Sequence, residues 1–365
     1  MTEQELCNYL SGITPADAPA MDAARRRQAE LAKPPGSLGE LESYAVRIAG
    51  ITGSVCPEIT KCRVIVLGAD NGVVEEGVSC TPQIVTAQQC VNMTRHKTGM
   101  SALAQYFFDE VTVIDVGVAA DLPEPVVNRK IRYGTDNLLK APAMTREEAL
   151  RAIEIGIEAA ENAAKQGVSC VGVGEMGIGN TTTSTLVLAC LTGLKPDELT
   201  GRGGGLTDEG FRRKKEVIRR SLELHRPNGA DVPDVLSKVG GFDIAAMCGV
   251  FLGCAAKRIP AVVDGFISIV AALCAVRLCP QVRDYLFLSH ASYEIGYRRA
   301  AEELGLKPCL LLDMRLGEGS GCPLMFRILQ AACAVHSNMA TFAEAAINDT
   351  YLEPIRKTNA FEVQS

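Results

Sequence analysis

The sequence predicts an α/β protein: a mainly parallel sheet with helices on both faces, plus a small helical domain built from the two ends of the chain. Three observations predict this. From about residue 60, short β-branched runs alternate with longer helical stretches, the pattern of βαβ units. The strand runs are continuously apolar, as a sheet covered on both faces requires. Before residue 58 and after residue 333 the pattern is helical and polar, with no strand. The expected division is therefore 1–58 with 333–365 as the helical domain and 59–332 as the α/β domain.

In chain order, strands are expected at 62–69, 111–118, 168–175, 260–266, 285–290 and 309–317, each closing on a glycine or a polar residue. Helices are expected at 83–106, 145–166, 180–192, 208–224, 243–258, 266–278, 291–304 and 322–336. Near the start, two helices are broken at "KPPGS", with Ser37 as N-cap of the second and Glu40 at its capping-box position. In such sheets ligands bind at the carboxyl ends of the strands.

Composition narrows the function classes. With 37 basic and 43 acidic residues the net charge is −6, which argues against a nucleic-acid or acidic-membrane surface. Trp is absent, so a base-stacking platform is not expected. The 14 cysteines form no CxxC pair and, with four histidines, no zinc-ligand spacing. They lie singly, mostly in apolar runs, where Cys acts as a small hydrophobe. No uninterrupted apolar run reaches membrane-span length, and "MTEQELCNYLSG" lacks a secretory pattern. A reduced, cytoplasmic protein without metal or cofactor is expected.

Three glycine-rich segments carry the chemistry. In "VSCVGVGEMGIGNTTTSTLVLACL" a buried strand runs through Gly172, Gly174, Gly177 and Gly179 into a helix opening at Asn180–Thr182. Free N–H groups at such a helix start bind anions. Gly174 and Gly179 have P-loop spacing, but Asn180 and Thr181 replace the Lys–Ser/Thr pair. Gly172, Gly174 and Gly177 spell GxGxxG, yet no second strand ends in an acid about 20 residues on. What remains is a small-anion cradle. In "LTGRGGGLTDEGFRRKK", Thr207 can cap a helix on which Arg212, Arg213, Lys214 and Lys215 cannot all face one ligand, so one is expected to turn inward. In "LLLDMRLGEGSGCPLMF", Glu318 stands between Gly317 and Gly319 at a strand end, where a carboxylate can act as a base or merely face solvent. Glu175 in the first loop is a second candidate, and Asp264, His290, Ser292 and Glu294 fall at other strand ends.

At these residues the sequence resembles the nicotinate-nucleotide–dimethylbenzimidazole phosphoribosyltransferase family. The matching blocks are "KPPGSLGELE", "LGADNGVVEEGVSCTPQIVTAQQ", "GVGEMGIGNTTTST", "GRGGGLTDEGFRRKK", "GGFDIAAMCGVFLGCA", "VVDGFISIVAAL" and "MRLGEGSGCPL", in order over roughly 33–325. The resemblance implies a Rossmann-like domain, a small helical domain and a homodimer, with a heterodimer of paralogues as the alternative. It implies transfer of 5-phosphoribosyl from nicotinate mononucleotide to an aromatic base or phenol in cobamide synthesis. On matching positions, Glu318 is implied as general base and Glu175 as a supporting carboxylate. Gly177, Gly179, Asn180, Thr181, Gly203, Lys214 and Asp264 would hold phosphate and ribose, His290 and Ser292 would lie near the nicotinate, and Thr81, Gln89 and Leu316 would line the acceptor pocket. The chain departs from the family pattern at Gly204, where Thr is frequent, at Thr81, where Ser is familiar, and at Tyr297, where His is common. Two other readings stand beside this one: a non-catalytic or partner-dependent subunit of the same fold, and a dinucleotide-dependent oxidoreductase.

Overall fold

A computed structural model describes residues 1–354. Six strands form one sheet: β1 (Cys62–Ala69), β2 (Glu110–Gly117), β3 (Val127–Asn128), β4 (Cys170–Met176), β5 (Ala261–Val263) and β6 (Leu286–Leu288). Their order is β3-β2-β1-β4-β5-β6, and every pair is parallel. That order reverses direction between β1 and β4, so the loops leaving those two strands diverge and open a crevice. β1 and β4 are buried along their whole length, which accounts for their unbroken apolar sequence.

Helices cover both faces. Arg146–Lys165, Phe242–Ala256 and Phe266–Leu278 pack on one; Ile84–Thr94, Gly99–Tyr106 and Cys322–Asn338 pack on the other. The expected helix over 83–106 is two helices, because His96 takes a φ of +57° and Thr98 starts the second with a capping box to Ser101. Ser37 is not a cap: Gly39 precedes Glu40–Thr52, and the Glu42 side chain instead accepts from Leu38 N–H at 3.0 Å. The short strand β3 and the helix Val232–Val239 were not expected from the sequence.

The run 309–317 is not a strand. Leu310 makes a single parallel bridge to His290, after which the chain leaves the sheet with Asp313 at φ +51° and Gly317 at φ +83°. Leu311 is 82% exposed, so the apolar composition that suggested a buried strand faces outward. From 339 to 352 the chain is turns and irregular backbone with one short 3-10 turn at Thr350–Leu352, where a polar helical segment was expected.

We propose that the two ends form the helical unit, 1–58 with 333–365, beside an α/β unit, 59–332. Support comes from the bridge of Leu31 to Thr341, the bond from Ala32 N–H to the Ala340 carbonyl, and the bonds from Arg27 to the His336 and Ser337 carbonyls. Residues 355–365 of that division lie outside the described residues.

The closest helix packing joins Arg146–Lys165 to Phe242–Ala256. A Cβ on Gly249 would sit 1.9 Å from the Ile153 carbonyl oxygen, and one on Gly156 would sit 1.8 Å from that of Ala246. Gly249→Ala should therefore force the helices apart and cost ~1–3 kcal/mol despite the better helix propensity of Ala. A fall in thermal midpoint is expected; an unchanged midpoint would show that the helices do not approach this closely.

Candidate active site

The turn after β4 is built around glycines that nothing larger can replace. Gly179 caps the helix Asn180–Thr192 at φ +93°, and a Cβ there would lie 2.6 Å from Val74 Cγ2. A Cβ on Gly177 would meet the Ala69 carbonyl oxygen at 2.5 Å and Asp243 Oδ2 at 2.7 Å. The helix thus starts hard against the loop after β1, with no side chain capping its first N–H groups. Asn180 turns inward, and its amide nitrogen donates to Glu175 Oε2 and to Asp243 Oδ2, the latter at 3.1 Å.

The loop carrying Glu318 docks on the other side of β4. Gly317, Glu318 and Gly319 all have positive φ, at +83°, +64° and +87°. Two carboxylates hold this left-handed stretch. Glu175 Oε1 accepts from Glu318 N–H at 3.2 Å; Asp264 Oδ2 and Oδ1 accept from Gly319 and Gly321 N–H at 3.0 and 2.7 Å. The Glu318 side chain accepts from Gln89 Nε2 at 3.4 Å through Oε1, its buried Oε2 makes no hydrogen bond, and the Thr98 side chain and Met100 N–H lie near enough to favour the charged form. Gly174 allows this approach, since a Cβ there would lie 2.5 Å from the Glu318 carbonyl oxygen.

Beyond Asp264 sits His290, buried and stacked on Tyr297. Ser289 Oγ gives its hydrogen to the Asp264 carbonyl oxygen at 3.2 Å, so the imidazole Nδ1, 3.0 Å from that hydroxyl, is assigned as the donor. Nε2 is then a bare acceptor without a partner, on the side where Gly265 and Ser292 lie.

On the flank of the helix start, Lys214 Nζ donates to Thr181 Oγ1 at 2.8 Å, and a Cβ on Gly203 would lie 3.1 Å from the same oxygen. Lys214 is fully buried, whereas Arg212 and Arg213 point to solvent and Lys215 reaches Asp197. Thr207 caps this helix as expected, accepting from Gly210 N–H at 3.2 Å. Thr81 lies across from Gly204, where a Cβ would be 3.9 Å from its Oγ1, and Leu316 packs against Gly99 with much of its side chain exposed.

Burial governs the electrostatics. It pushes Glu175 up to about 8, with the Asp243 charge adding to the effect, and Asp264 up to about 7 and Asp243 up to about 6 against the N–H donors that oppose it. Glu318 and Asp70 are raised by the same desolvation. Burial lowers His290 to about 4, leaving it neutral, and Lys214 to about 8. Raised this far, Glu175 and much of Asp264 are protonated near neutral pH, and a ligand that brings positive charge would draw them into the ionised form.

One hydrogen-bonded network thus contains Glu175, Asn180, Glu318, Gln89, Asp264 and His290, with Thr181, Lys214 and Gly203 at its flank. Gly177 and Gly179 form its floor, and Thr81, Ser292 and Leu316 stand on its rim. Sequence reasoning missed Asp243, and saw Asn71 only within a polar turn, Asp70–Asn71–Gly72, after the first strand. Both are fully buried, and the Asn71 amide has neither atom partnered. Asp243 lies inside the "GGFDIAAM" block, but an acid in the first turn of a helix reads as an ordinary dipole partner. Among the described residues no group of three or more His, Cys, Asp or Glu could hold a metal ion, and no helix is long and apolar enough to cross a membrane.

Residues 13–347 match the family model described as Phosphoribosyltransferase. A relative from Clostridium perfringens, named nicotinate-nucleotide–dimethylbenzimidazole phosphoribosyltransferase, is 49% identical over 98% of this chain and 99% of its own. One of the same name from Alkaliphilus metalliredigens is 50% identical over 92% of this chain and 97% of its own. A crystal structure of the nicotinate-nucleotide–dimethylbenzimidazole phosphoribosyltransferase from Thermus thermophilus superposes with a TM-score of 0.86 at 42% identity, covering 91% of this chain and 99% of that one. With fold, glycine loops and carboxylate network in place and the match running nearly end to end, the chain belongs to the family of nicotinate-nucleotide–dimethylbenzimidazole phosphoribosyltransferases.

Proposed function

We propose that this enzyme moves 5-phosphoribosyl from nicotinate mononucleotide to a lower-ligand base, 5,6-dimethylbenzimidazole or a related benzimidazole, purine or phenol, as a step of cobamide synthesis. The observation that carries the reading is the Glu318 loop: a carboxylate with one free, buried oxygen, fixed through Glu175 to the first residue of an uncapped helix. Base and anion cradle are thereby held at a set separation, as transfer between two bound substrates requires.

The phosphate and ribose would lie among Gly177, Gly179, Asn180, Thr181, Gly203, Lys214 and Asp264, with the phosphate drawing on the helix N–H groups and Lys214. The acceptor, lined by Thr81, Gln89 and Leu316, attacks C1′ of the ribose through one ring nitrogen or its phenol oxygen. The C1′–N bond to the pyridinium breaks, its electron pair returns to the ring, and nicotinate leaves without being protonated. The anomeric carbon inverts from β to α. The proton on the acceptor passes to Glu318, whose raised pKa brings it nearer working pH as a base. The surrounding carboxylates suit the pyridinium of the donor and the positive charge that develops on the ribose. His290 and Ser292 would stand at the nicotinate end, with Nε2 of the neutral imidazole acting as an acceptor. No step calls for a metal or cofactor.

The active form is read as a homodimer, a pair with a paralogue being the second possibility. Support comes from exposed apolar side chains gathered on two adjoining segments, Tyr293 and the helix-opening Ile295 on one, Leu311, Leu312 and Leu316 on the other. Ala291 and Tyr293 N–H bond the Leu310 and Met314 carbonyls at 2.9 and 3.1 Å, so these side chains share one patch. A cytoplasmic setting fits the 14 unpaired cysteines.

Purified enzyme with nicotinate mononucleotide and a panel of benzimidazoles, purines and phenols should yield nicotinate and an α-ribotide by mass spectrometry. Glu318→Gln should lower kcat by ~10²–10⁴ while nucleotide binding changes little. A variant with native turnover would remove Glu318 from the base role. Lys214 supplies the pH dependence. It must be charged to bind phosphate, and burial holds it at about 8, so the nucleotide KM should rise ~10-fold as pH goes from 7 to 9. A flat profile would show that Lys214 does not meet the phosphate. Light scattering should give about twice the 38.9 kDa chain mass, and a monomer would overturn the dimer.

A further inference from the structure

Asp243 is fully buried, and none of the proposed substrate contacts involves it. Its carboxylate makes two bonds that a single amide could not reproduce. Oδ1 accepts from Ile244 N–H at 2.9 Å, and Oδ2 accepts from Asn180 Nδ2 at 3.1 Å. The same Asn180 nitrogen donates its other hydrogen to Glu175 Oε2, and Glu175 Oε1 in turn accepts from Glu318 N–H at 3.2 Å. Four residues from three parts of the chain are therefore joined in series, ending on the base.

We propose that Asp243 is a positioning residue of the transfer reaction: it fixes the plane of the Asn180 amide, through which Glu175 holds the Glu318 backbone in its left-handed conformation. The inference rests on the reaction proposed above. Its logic is that of donor and acceptor count. Asn180 Nδ2 donates to both Glu175 and Asp243, so a flipped amide would set its carbonyl oxygen against the Asp243 carboxylate. With Asp243 in place only one orientation of the amide is favourable. Without it, Asn180 keeps a single tie and its amide can turn. Glu175 then loses the donor that aims it.

Asp243 itself has little freedom to drift. A Cβ on Gly177 would lie 2.7 Å from its Oδ2, and one on Gly241 would lie 2.4 Å from its Oδ1 and 2.7 Å from Asn71 Oδ1. The carboxylate is wedged between two backbone segments that only glycine allows so near. Glu318 is a residue with a side chain at φ +64°, a conformation that costs free energy and persists only when its surroundings enforce it. Within the loop a turn bond from Ser320 N–H to the Gly317 carbonyl contributes; from outside, Glu175 restrains residue 318 itself and Asp264 restrains Gly319 and Gly321. Asp243 is the far anchor of the Glu175 restraint.

The test is a double-mutant cycle on the full-length enzyme with nicotinate mononucleotide and 5,6-dimethylbenzimidazole. Asp243→Asn keeps shape and burial, but in either orientation its amide opposes one of the two donors. We expect kcat to fall about 10–100-fold with the nucleotide KM within about threefold of native. In a Glu318→Gln background the same change should lower the residual kcat less than about twofold, because the series ends at the residue already removed. Asp243→Ser, smaller and unable to reach Asn180, should give the same pattern and serves if the amide variant does not fold. Equal proportional losses in both backgrounds, native kcat in the folded variants, or failure of both variants to fold would overturn the positioning role. If the native enzyme forms product, such a result leaves the reaction standing; absence of product from the native enzyme would overturn the reaction and this role together.

Discussion

The site depends on three consecutive residues, Gly317, Glu318 and Gly319, being kept in the left-handed region of backbone space. Two of them are glycines, for which that conformation carries no side-chain penalty; the middle one is not. Within the loop, a turn bond from Ser320 N–H to the Gly317 carbonyl at 3.0 Å brackets Glu318. Further restraint comes from outside: Glu175 at the end of β4 and Asp264 after β5 accept the loop's N–H groups. Each carboxylate is buried, and each is stabilised in turn by bonds to the backbone or to Asn180. Strain at Glu318 is thus balanced by polar groups whose own burial is tolerable only while the loop is in place. The two halves of the arrangement require each other.

The sheet explains how those carboxylates come to the same place. β1 and β4 are neighbours although the chain runs from Ala69 to Cys170 between them, and it departs from them toward opposite edges. The loops that leave the two strands therefore face each other across a gap, and the third segment, from β6 through 310–321, closes it from the side. Parallel pairing puts all the strand carboxyl ends at one edge. A polar residue at a strand end can then reach the cleft whatever its position in the chain, which is why Glu175, Asp264 and His290 come together.

Much of this was legible in the sequence. The strands β1, β2 and β4 and the helix opening at Asn180 follow from continuous apolar runs ending in glycine, because burial on both faces leaves no room for alternation. That only one of Arg212–Lys215 could turn inward followed from helical geometry, and the structure buries Lys214. Two failures have physical causes. The run "CLLLDMRLG" has the composition of a buried strand, but a sequence does not distinguish an apolar side chain meant for a core from one left on the surface, and Leu311 is the latter. Asp243 was invisible because its role depends on Asn180, 63 residues earlier, turning toward it. An acid at a helix start is commonplace, and only the fold shows which donor it meets.

The rim of the cleft is made differently from its interior. Thr81 and Leu316 sit on loops in partial contact with solvent, bound to the network by packing alone, whereas Glu175, Asp264, Asn180 and Glu318 are locked by hydrogen bonds beneath them. On the proposed assignment, two of the residues that line the acceptor, Thr81 and Leu316, are mechanically decoupled from the parts that carry out the transfer, while Gln89 is tied to them through its bond to Glu318. Such modularity lets acceptor preference drift under selection by single rim substitutions, Gly204 and Thr81 among them, without relaxing the geometry on which turnover depends. Divergence in substrate range across a lineage with this scaffold would then leave a fixed interior beneath a variable edge.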